Sequence, residues 1–78
     1  MKKAKYVIAN GLPIIFWEGT SHDEVAKGQK VTSAGFCFIS FDAEQEEWVA
    51  KCFGESISLG IKSNPFEDEL KFRYALNN

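Results

Sequence analysis

The histidine is the residue best suited to acid–base or metal chemistry, and other reactive side chains surround it. His22 follows Ser21 and precedes Asp23 and Glu24. A structural zinc site takes four ligands, mainly Cys and His, and this sequence has 1 His and 2 Cys without paired spacing. A serine–histidine–acid triad collects its members from separate elements, whereas neighbours at a helix start diverge. We therefore predict that His22 is an exposed residue in the first turn of a short helix.

The two cysteines are the other candidates for a reactive group. Cys37 and Cys52 have no Cys-x-x-Cys spacing, and neither falls at a predicted helix start, which are settings that lower a thiol pKa. The first residues do not have the pattern of a secretory signal, so we expect a cytoplasmic protein with two free thiols. Buried cysteine is common as a small apolar residue. We expect the two thiols to face each other in the core.

Acidic and glycine-containing segments offer no further catalytic motif. The acids in residues 44–47 fall at a predicted hairpin tip, and those in residues 67–69 at a predicted helix start, where they complement the helix dipole. Carboxylate-pair catalysis needs two acids held across a cleft in different environments. Gly54 and Gly60 lack the spacing of a phosphate-binding loop. The sequence therefore predicts no enzymatic activity, no cofactor and no metal.

Composition favours one small domain over residues 1–78, and it bounds the partners. The chain is 45% hydrophobic, with 7 Phe, 2 Trp and 2 Tyr to build a core. Its net charge of −2 disfavours binding to nucleic acid, because phosphate backbones attract clustered positive charge. We expect Lys2, Lys3 and Lys5 to form a solvated end. No stretch approaches the roughly 20 apolar residues that span a bilayer, so we expect no membrane partner.

The first half of the chain predicts a hairpin followed by a short helix. Asn10-Gly11 suits a type I′ turn between strands at residues 6–9 and 12–17. Pro13 cannot donate a ladder hydrogen bond, which predicts that this part of the strand lies at a sheet edge or at a bulge. Ser21 and Glu24 have capping-box spacing, and Gly28 is a natural helix stop.

The second half predicts two paired strands at residues 30–41 and 47–53, with Ala34-Gly35 as a bulge or bend. If Cys37 lies opposite Cys52, one face of this two-stranded pair is entirely apolar, because the residues on that face are then apolar in both strands. The other pairs in this register are Ile39 with Ala50 and Phe41 with Trp48. Apolar and small residues alternate over residues 54–62, which predicts a short strand or an extended segment pinned to the core.

The last segment carries several independent helix signals. Asn64 can cap a helix that Pro65 begins, and the sequence predicts that this helix runs to about residue 76. Phe66, Leu70 and Tyr74 recur at i, i+4 and i+8, and we expect this row to pack on the sheet. The predicted fold is α+β: an antiparallel sheet of four to five strands, one short helix, and a C-terminal helix on one sheet face.

Two segments resemble known protein groups. Gly35-Phe36-Cys37-Phe38-Ile39 resembles the aromatic strand of cold-shock domains, which implies a stacking platform of Phe36, Phe38 and Phe53 for bases. Ala34 stands where that strand has a basic residue, and a core strand explains the same letters. Residues 33–37, 52–63 and 65–70 resemble short bacterial and prophage-encoded proteins of unknown function.

These observations favour protein binding as the function. The strands at residues 30–41 and 47–53 are apolar on both faces, whereas a small antiparallel sheet normally leaves one face to water. We therefore expect an exposed aromatic patch that binds a protein, with a homodimer as the simplest case. Its predicted residues are Trp17, Phe36, Phe38, Phe53 and Phe72. The alternative is single-stranded nucleic-acid binding through Phe36, Phe38 and Phe53.

Overall fold

The computed structural model describes residues 3–78 as a four-stranded antiparallel sheet with helices packed on it. In chain order the elements are β1 (Lys3–Ala9), β2 (Leu12–Phe16), α1 (His22–Ala26), β3 (Val31–Asp42), β4 (Glu47–Phe53), β5 (Glu55–Ser56), β6 (Ile61–Lys62) and α2 (Pro65–Asn77). The sheet order is β2-β1-β3-β4, and β5 and β6 form a separate two-stranded ribbon. The predicted α+β class is confirmed.

The hairpin of β1 and β2 forms as its turn residues predict. Asn10 and Gly11 both have positive φ angles, 54° and 82°, as a type I′ turn requires. Ala9 lies opposite Leu12 in this hairpin. The strand order places β2 at the sheet edge, so Pro13 lies on an edge strand. An edge position tolerates proline because one side of the strand makes no ladder hydrogen bonds.

The pairing of β3 with β4 has the predicted register. Cys37 lies opposite Cys52, and Ile39 lies opposite Ala50. Of the bulge or bend predicted at Ala34-Gly35, the bulge was wrong: the register with β1 is regular there, and the irregularity between β1 and β3 falls at Thr32. Gly35 is needed for a different reason: a Cβ there would lie 2.4 Å from the carbonyl oxygen of Phe53.

The first sheet face is covered by α2, although not through the predicted row of residues. Phe72 is fully buried in this core, where its ring packs edge-on against Tyr6 with centroids 5.2 Å apart. The row expected to pack on the sheet is exposed instead: Phe66 by 75%, Leu70 by 51% and Tyr74 by 71%. That prediction was wrong. The helix is rotated so that Phe72 faces the sheet.

A buried carboxylate accounts for the rotation of α2. Asp68 is completely buried and accepts hydrogen bonds from the Tyr6 hydroxyl, from Ser33 Oγ at 2.6 Å and from the Asn64 N–H at 2.9 Å. A buried carboxylate needs such donors, because an unpaired polar group inside a protein costs free energy. Rotating the helix toward Phe66 would remove Asp68 from Tyr6 and Ser33, which lie on the sheet. Asp68 was expected to be a surface charge, and that expectation was wrong.

Two further side chains of α2 bind the backbone of the edge strand β4. Glu69 Oε2 accepts the Cys52 N–H at 2.9 Å. Asn77 accepts the Trp48 N–H through Oδ1 at 2.8 Å and donates to the Trp48 carbonyl through Nδ2 at 2.8 Å. These bonds satisfy edge groups that would otherwise be open to another strand.

The second sheet face is covered by α1 and by the segment that contains β5 and β6. Val7, Ala9 and Ala34 form its buried cluster, against which the partly buried side chains of Val25, Leu59 and Ile61 and of neighbouring residues pack. The short helix α1 has 5 residues, and Ser21 makes no side-chain capping bond. The predicted capping box therefore does not form.

His22 is buried, so its predicted exposure was wrong. Only 4% of the residue is exposed, and its ring lies edge-on to Phe16 and Phe36. Its Nε2 lies 2.9 Å from the Gly35 carbonyl oxygen. A carbonyl can only accept, so Nε2 carries the proton. The histidine fills the gap between α1 and β3, where it satisfies a backbone acceptor.

Candidate partner-binding surface

Part of the second sheet face lies beyond the reach of α1 and the β5–β6 segment. Phe36 and Phe38 of β3 point to this face, and Phe53 of β4 lies directly opposite Phe36. We refer to these three residues, with the flanking Lys3 and Lys51, as the aromatic strand surface. The alternation of side chains along β3 and β4, and the pairing of Lys3 on β1 with Phe38, place all of them on one face.

The three phenylalanine rings pack on one another. The ring of Phe53 lies 5.9 Å from that of Phe36 at an interplanar angle of 26°, and 5.4 Å from that of Phe38 at 25°. These distances and angles describe offset stacking, in which each ring covers part of its neighbour's face. Phe53 is 37% exposed, and the other two are partly buried. The surface is therefore an ordered apolar patch with its ring faces partly covered.

Lysine side chains lie beside the three rings of the aromatic strand surface. Lys3 Nζ lies 4.8 Å from the centroid of the Phe36 ring, a cation–π distance, and 3.8 Å from a carboxylate oxygen of Glu18. Lys51 lies opposite Phe38 in the β3–β4 register. Lys5 lies opposite Phe36 and donates to the Thr20 carbonyl at 3.0 Å. Lys2, expected to extend this basic end, lies outside the described residues.

A cleft of about 460 Å³ adjoins the aromatic strand surface. Its lining residues are Lys5, Ser21, His22, Phe36, Glu55, Ile57 and Ser58. The protonated Nε2 of His22 is already bonded to a backbone carbonyl, and its ring is enclosed by Phe16 and Phe36. The histidine that lines this cleft therefore has a structural role, because its Nε2 hydrogen bond is already made within the fold. Within residues 3–78 no group of three or more His, Cys, Asp or Glu is placed to hold a metal ion.

The two cysteines are free and buried on the face beneath α2, where they lie opposite each other as predicted. Burial raises the pKa of the Cys37 thiol to about 11. Burial, followed by the nearby Cys37, raises the pKa of the Cys52 thiol to about 12. A nucleophilic cysteine needs the opposite change, so both thiols stay protonated at neutral pH and act as apolar core groups.

The structure brings together three of the five predicted contact residues. Phe36, Phe38 and Phe53 form the patch. Phe72 is fully buried between α2, to which it belongs, and the sheet, so it cannot contact a partner in the folded protein. Trp17 is 70% exposed and lines a separate cavity of about 540 Å³ with Ala4, Ile15, Phe16, Thr20 and Ile39.

Sequence reasoning missed the second exposed apolar surface, on the outer side of α2. We refer to Phe66, Leu70 and Tyr74 as the outer helix row. One sequence signal was present: apolar residues occupy more of the helix circumference than one sheet contact requires. That excess predicts an exposed apolar side without saying which side it is.

Comparison with known proteins gives no family for this chain: no family model, curated protein or solved structure matches it. The resemblances to cold-shock strands and to bacterial and prophage proteins remain predictions. Neither helix in the described part of the chain is long and apolar enough to cross a membrane.

Proposed function

We propose that the protein is a non-enzymatic binding domain that associates with another polypeptide through the aromatic strand surface. The observation that carries this proposal is a sheet face left partly uncovered at three stacked phenylalanines. Contiguous exposed apolar patches mark contact sites more often than they serve folding. Aromatic side chains are also enriched among the anchors that dominate binding energy.

The charge around this surface favours a partner that carries carboxylates beside its apolar anchors. Lys3 and Lys51 border the rings, and a facing Asp or Glu would complement them. A second copy of the chain is the simplest partner: Glu18 lies beside Lys3 at the edge of the patch and supplies such a carboxylate, and a two-fold dimer closes one patch on each subunit.

Site-specific photo-crosslinking tests the surface while the partner is still unidentified. Phe53 would be replaced by p-benzoylphenylalanine, which keeps an aromatic ring at this partly exposed position. The matched control carries the same replacement at Ile57, which is 90% exposed and lies outside the aromatic strand surface. We expect a discrete polypeptide adduct, a second copy included, from position 53 and none from position 57. Equal yields from both positions, or no adduct, would overturn the proposal.

Single-stranded nucleic acid is the second candidate, and the three bordering lysines are the observation that favours it. Base stacking uses free ring faces, whereas the rings here partly cover one another. The net charge of −2 also leaves little counterion-release energy. We therefore expect no saturable submicromolar binding to short oligonucleotides, measured by fluorescence anisotropy at about 0.15 M salt. Such binding, lost in Phe38→Ala, would place this candidate first.

A further inference from the structure

The outer helix row is the largest apolar feature of α2 that the fold leaves uncovered. Phe66, Leu70 and Tyr74 are 75%, 51% and 71% exposed. Their spacing of four residues places them in one row along the helix. The row lies on the side of the helix away from Phe72, which faces the sheet.

The fold keeps this row at the surface. Asp68 on the inner side is bonded to Tyr6, Ser33 and Asn64, and Asn77 is bonded to Trp48. A rotation that buried the outer helix row would break the bonds to Tyr6, Ser33 and Trp48, which lie on the sheet. The row can therefore lose its exposure to water only when another molecule covers it.

Charged residues flank the row in a regular order. Glu67 and Lys71 lie on one flank, with carboxylate and ammonium groups 4.0 Å apart. Glu69 and Arg73 lie on the other flank, at the same spacing of four residues. On each flank an acid precedes a base, and the charge changes sign within one residue of Leu70, near residue 69 on one flank and near residue 71 on the other.

We infer that a second copy of the chain covers the outer helix row, with the two α2 helices antiparallel about a two-fold axis at Leu70. Leu70 then meets the partner's Leu70, and Phe66 meets the partner's Tyr74. This inference shares with the proposed function the idea that the chain binds a copy of itself. It places the contact between the two copies on α2, and it does not require the aromatic strand surface.

The charge order selects this arrangement. In an antiparallel two-fold pair, each flank meets the same flank of the partner with its order reversed. Glu67 therefore lies near the partner's Lys71, and Glu69 lies near the partner's Arg73. In a parallel pair each flank meets the other one, which brings Glu67 near the partner's Glu69 and Lys71 near the partner's Arg73. Like charges oppose that parallel pair.

The size of the row sets the expected strength. Three side chains at these exposures provide on the order of 400 Å² per subunit. A standard stable interface buries about 800 Å² per subunit. We therefore expect a reversible dimer with a Kd in the range of about 10 to 500 μM, a weak interface of the transient class.

Sedimentation equilibrium of the full chain up to about 1 mM measures this association directly. Leu70→Arg should weaken it at least tenfold, because it buries an unpaired charge at the two-fold axis. Ile57→Arg is the matched control, since Ile57 is exposed and lies outside α2. Circular dichroism would verify that both variants are folded. A strictly monomeric wild type, or equal loss in both variants, would overturn the inference.

A charge exchange tests the antiparallel geometry. Glu67→Lys gives a flank with two bases and Lys71→Glu a flank with two acids, so each variant alone should dimerise at least fivefold more weakly. Mixing the two should restore association, because every contact across that flank then joins opposite charges. A mixture no stronger than its components would overturn the antiparallel assignment. The other flank, with Glu69 and Arg73, is not substituted in this experiment. Its residues also make contacts within the fold: Glu69 accepts the Cys52 N–H, and Arg73 pairs with Glu47 at 2.6 Å.

One further variant separates this inference from the proposed function. Phe53→Asp alters the aromatic strand surface and leaves α2 unchanged. If Leu70→Arg disrupts the dimer and Phe53→Asp does not, the inference stands whatever the crosslinking at position 53 shows. If Phe53→Asp disrupts the dimer and Leu70→Arg does not, the inference is wrong and self-association belongs to the aromatic strand surface.

Discussion

The two faces of the sheet are covered to different extents, and the covering elements explain the difference. One face lies beneath α2, a helix of 13 residues. The other lies beneath α1, with 5 residues, and the segment of two short strands, β5 and β6. The shorter elements reach Val7 and Ala34, and through His22 they contact one edge of Phe36. Phe38 and Phe53 lie beyond their ends.

The type of contact differs as well as its extent. On the α2 face, the hydrogen bonds that Asp68 and Glu69 accept and the one that Asn77 donates add direction to the apolar packing. Hydrogen bonds fix the rotation of a helix, whereas apolar burial alone is nondirectional. On the other face His22 makes one such bond, to the Gly35 carbonyl. A face held by directional bonds should tolerate substitution less than one held mainly by apolar contact.

The largest expected effect is at the centre of the α2 face. Phe72→Ala should lower the free energy of unfolding by about 4 kcal/mol, because it leaves a cavity in the core. Phe66→Ala is the matched control and should cost less than about 1 kcal/mol, since that ring is exposed. Urea unfolding measures both values. Equal losses would show that α2 is rotated away from the orientation described.

The next effect concerns the carboxylate that orients α2. Asp68→Ala leaves the buried hydroxyls of Tyr6 and Ser33 and the part-buried N–H of Asn64 without this acceptor, which should cost about 3 kcal/mol. Glu67→Ala removes an acid of the same first helical turn that is exposed, and it should cost about 0.5 kcal/mol. If Asp68→Ala lowers the free energy of unfolding no more than Glu67→Ala does, then Asp68 stabilises the protein only through the helix dipole and not as a buried acceptor.

These residues also show where sequence reasoning succeeded. The Asn10-Gly11 turn, the pairing of Cys37 with Cys52 and the start of α2 at Pro65 were predicted, because local backbone chemistry and strand alternation determine them. The pairing in turn placed Phe36, Phe38 and Phe53 on one face.

The errors have one physical cause: the deciding partner is distant in the sequence. Asp68 in a first helical turn suits both a solvated dipole contact and a buried acceptor, and only Tyr6 and Ser33 distinguish the two. His22 suits an exposed helix start until β3 presents the Gly35 carbonyl. The i, i+4 pattern of α2 likewise offers two apolar sides without ranking them.

The remaining effect comes from the two thiols beneath α2: it is a dependence on pH, and it is absent at neutral pH. Cys37 and Cys52 have an ordinary pKa of 9.0, which burial raises to about 11 and about 12 in the folded protein. Above pH 9 the unfolded chain releases thiol protons that the folded chain retains. Their contribution is therefore fully present below pH 9 and is lost as pH rises toward the folded values. The loss is at most about 1.4 kcal/mol per pH unit for each thiol.

Urea unfolding between about pH 8 and pH 10.5 measures this dependence through its slope. Cys37→Ala and Cys52→Ala should each flatten the decline, even though each also lowers stability at pH 8 by removing a buried group. Comparing slopes rather than absolute stabilities separates the two effects, and it removes the contribution of lysines and tyrosines that titrate in both proteins. An unchanged slope in both variants would mean that water reaches the thiols, and hence that α2 covers its face no more completely than α1 covers the other.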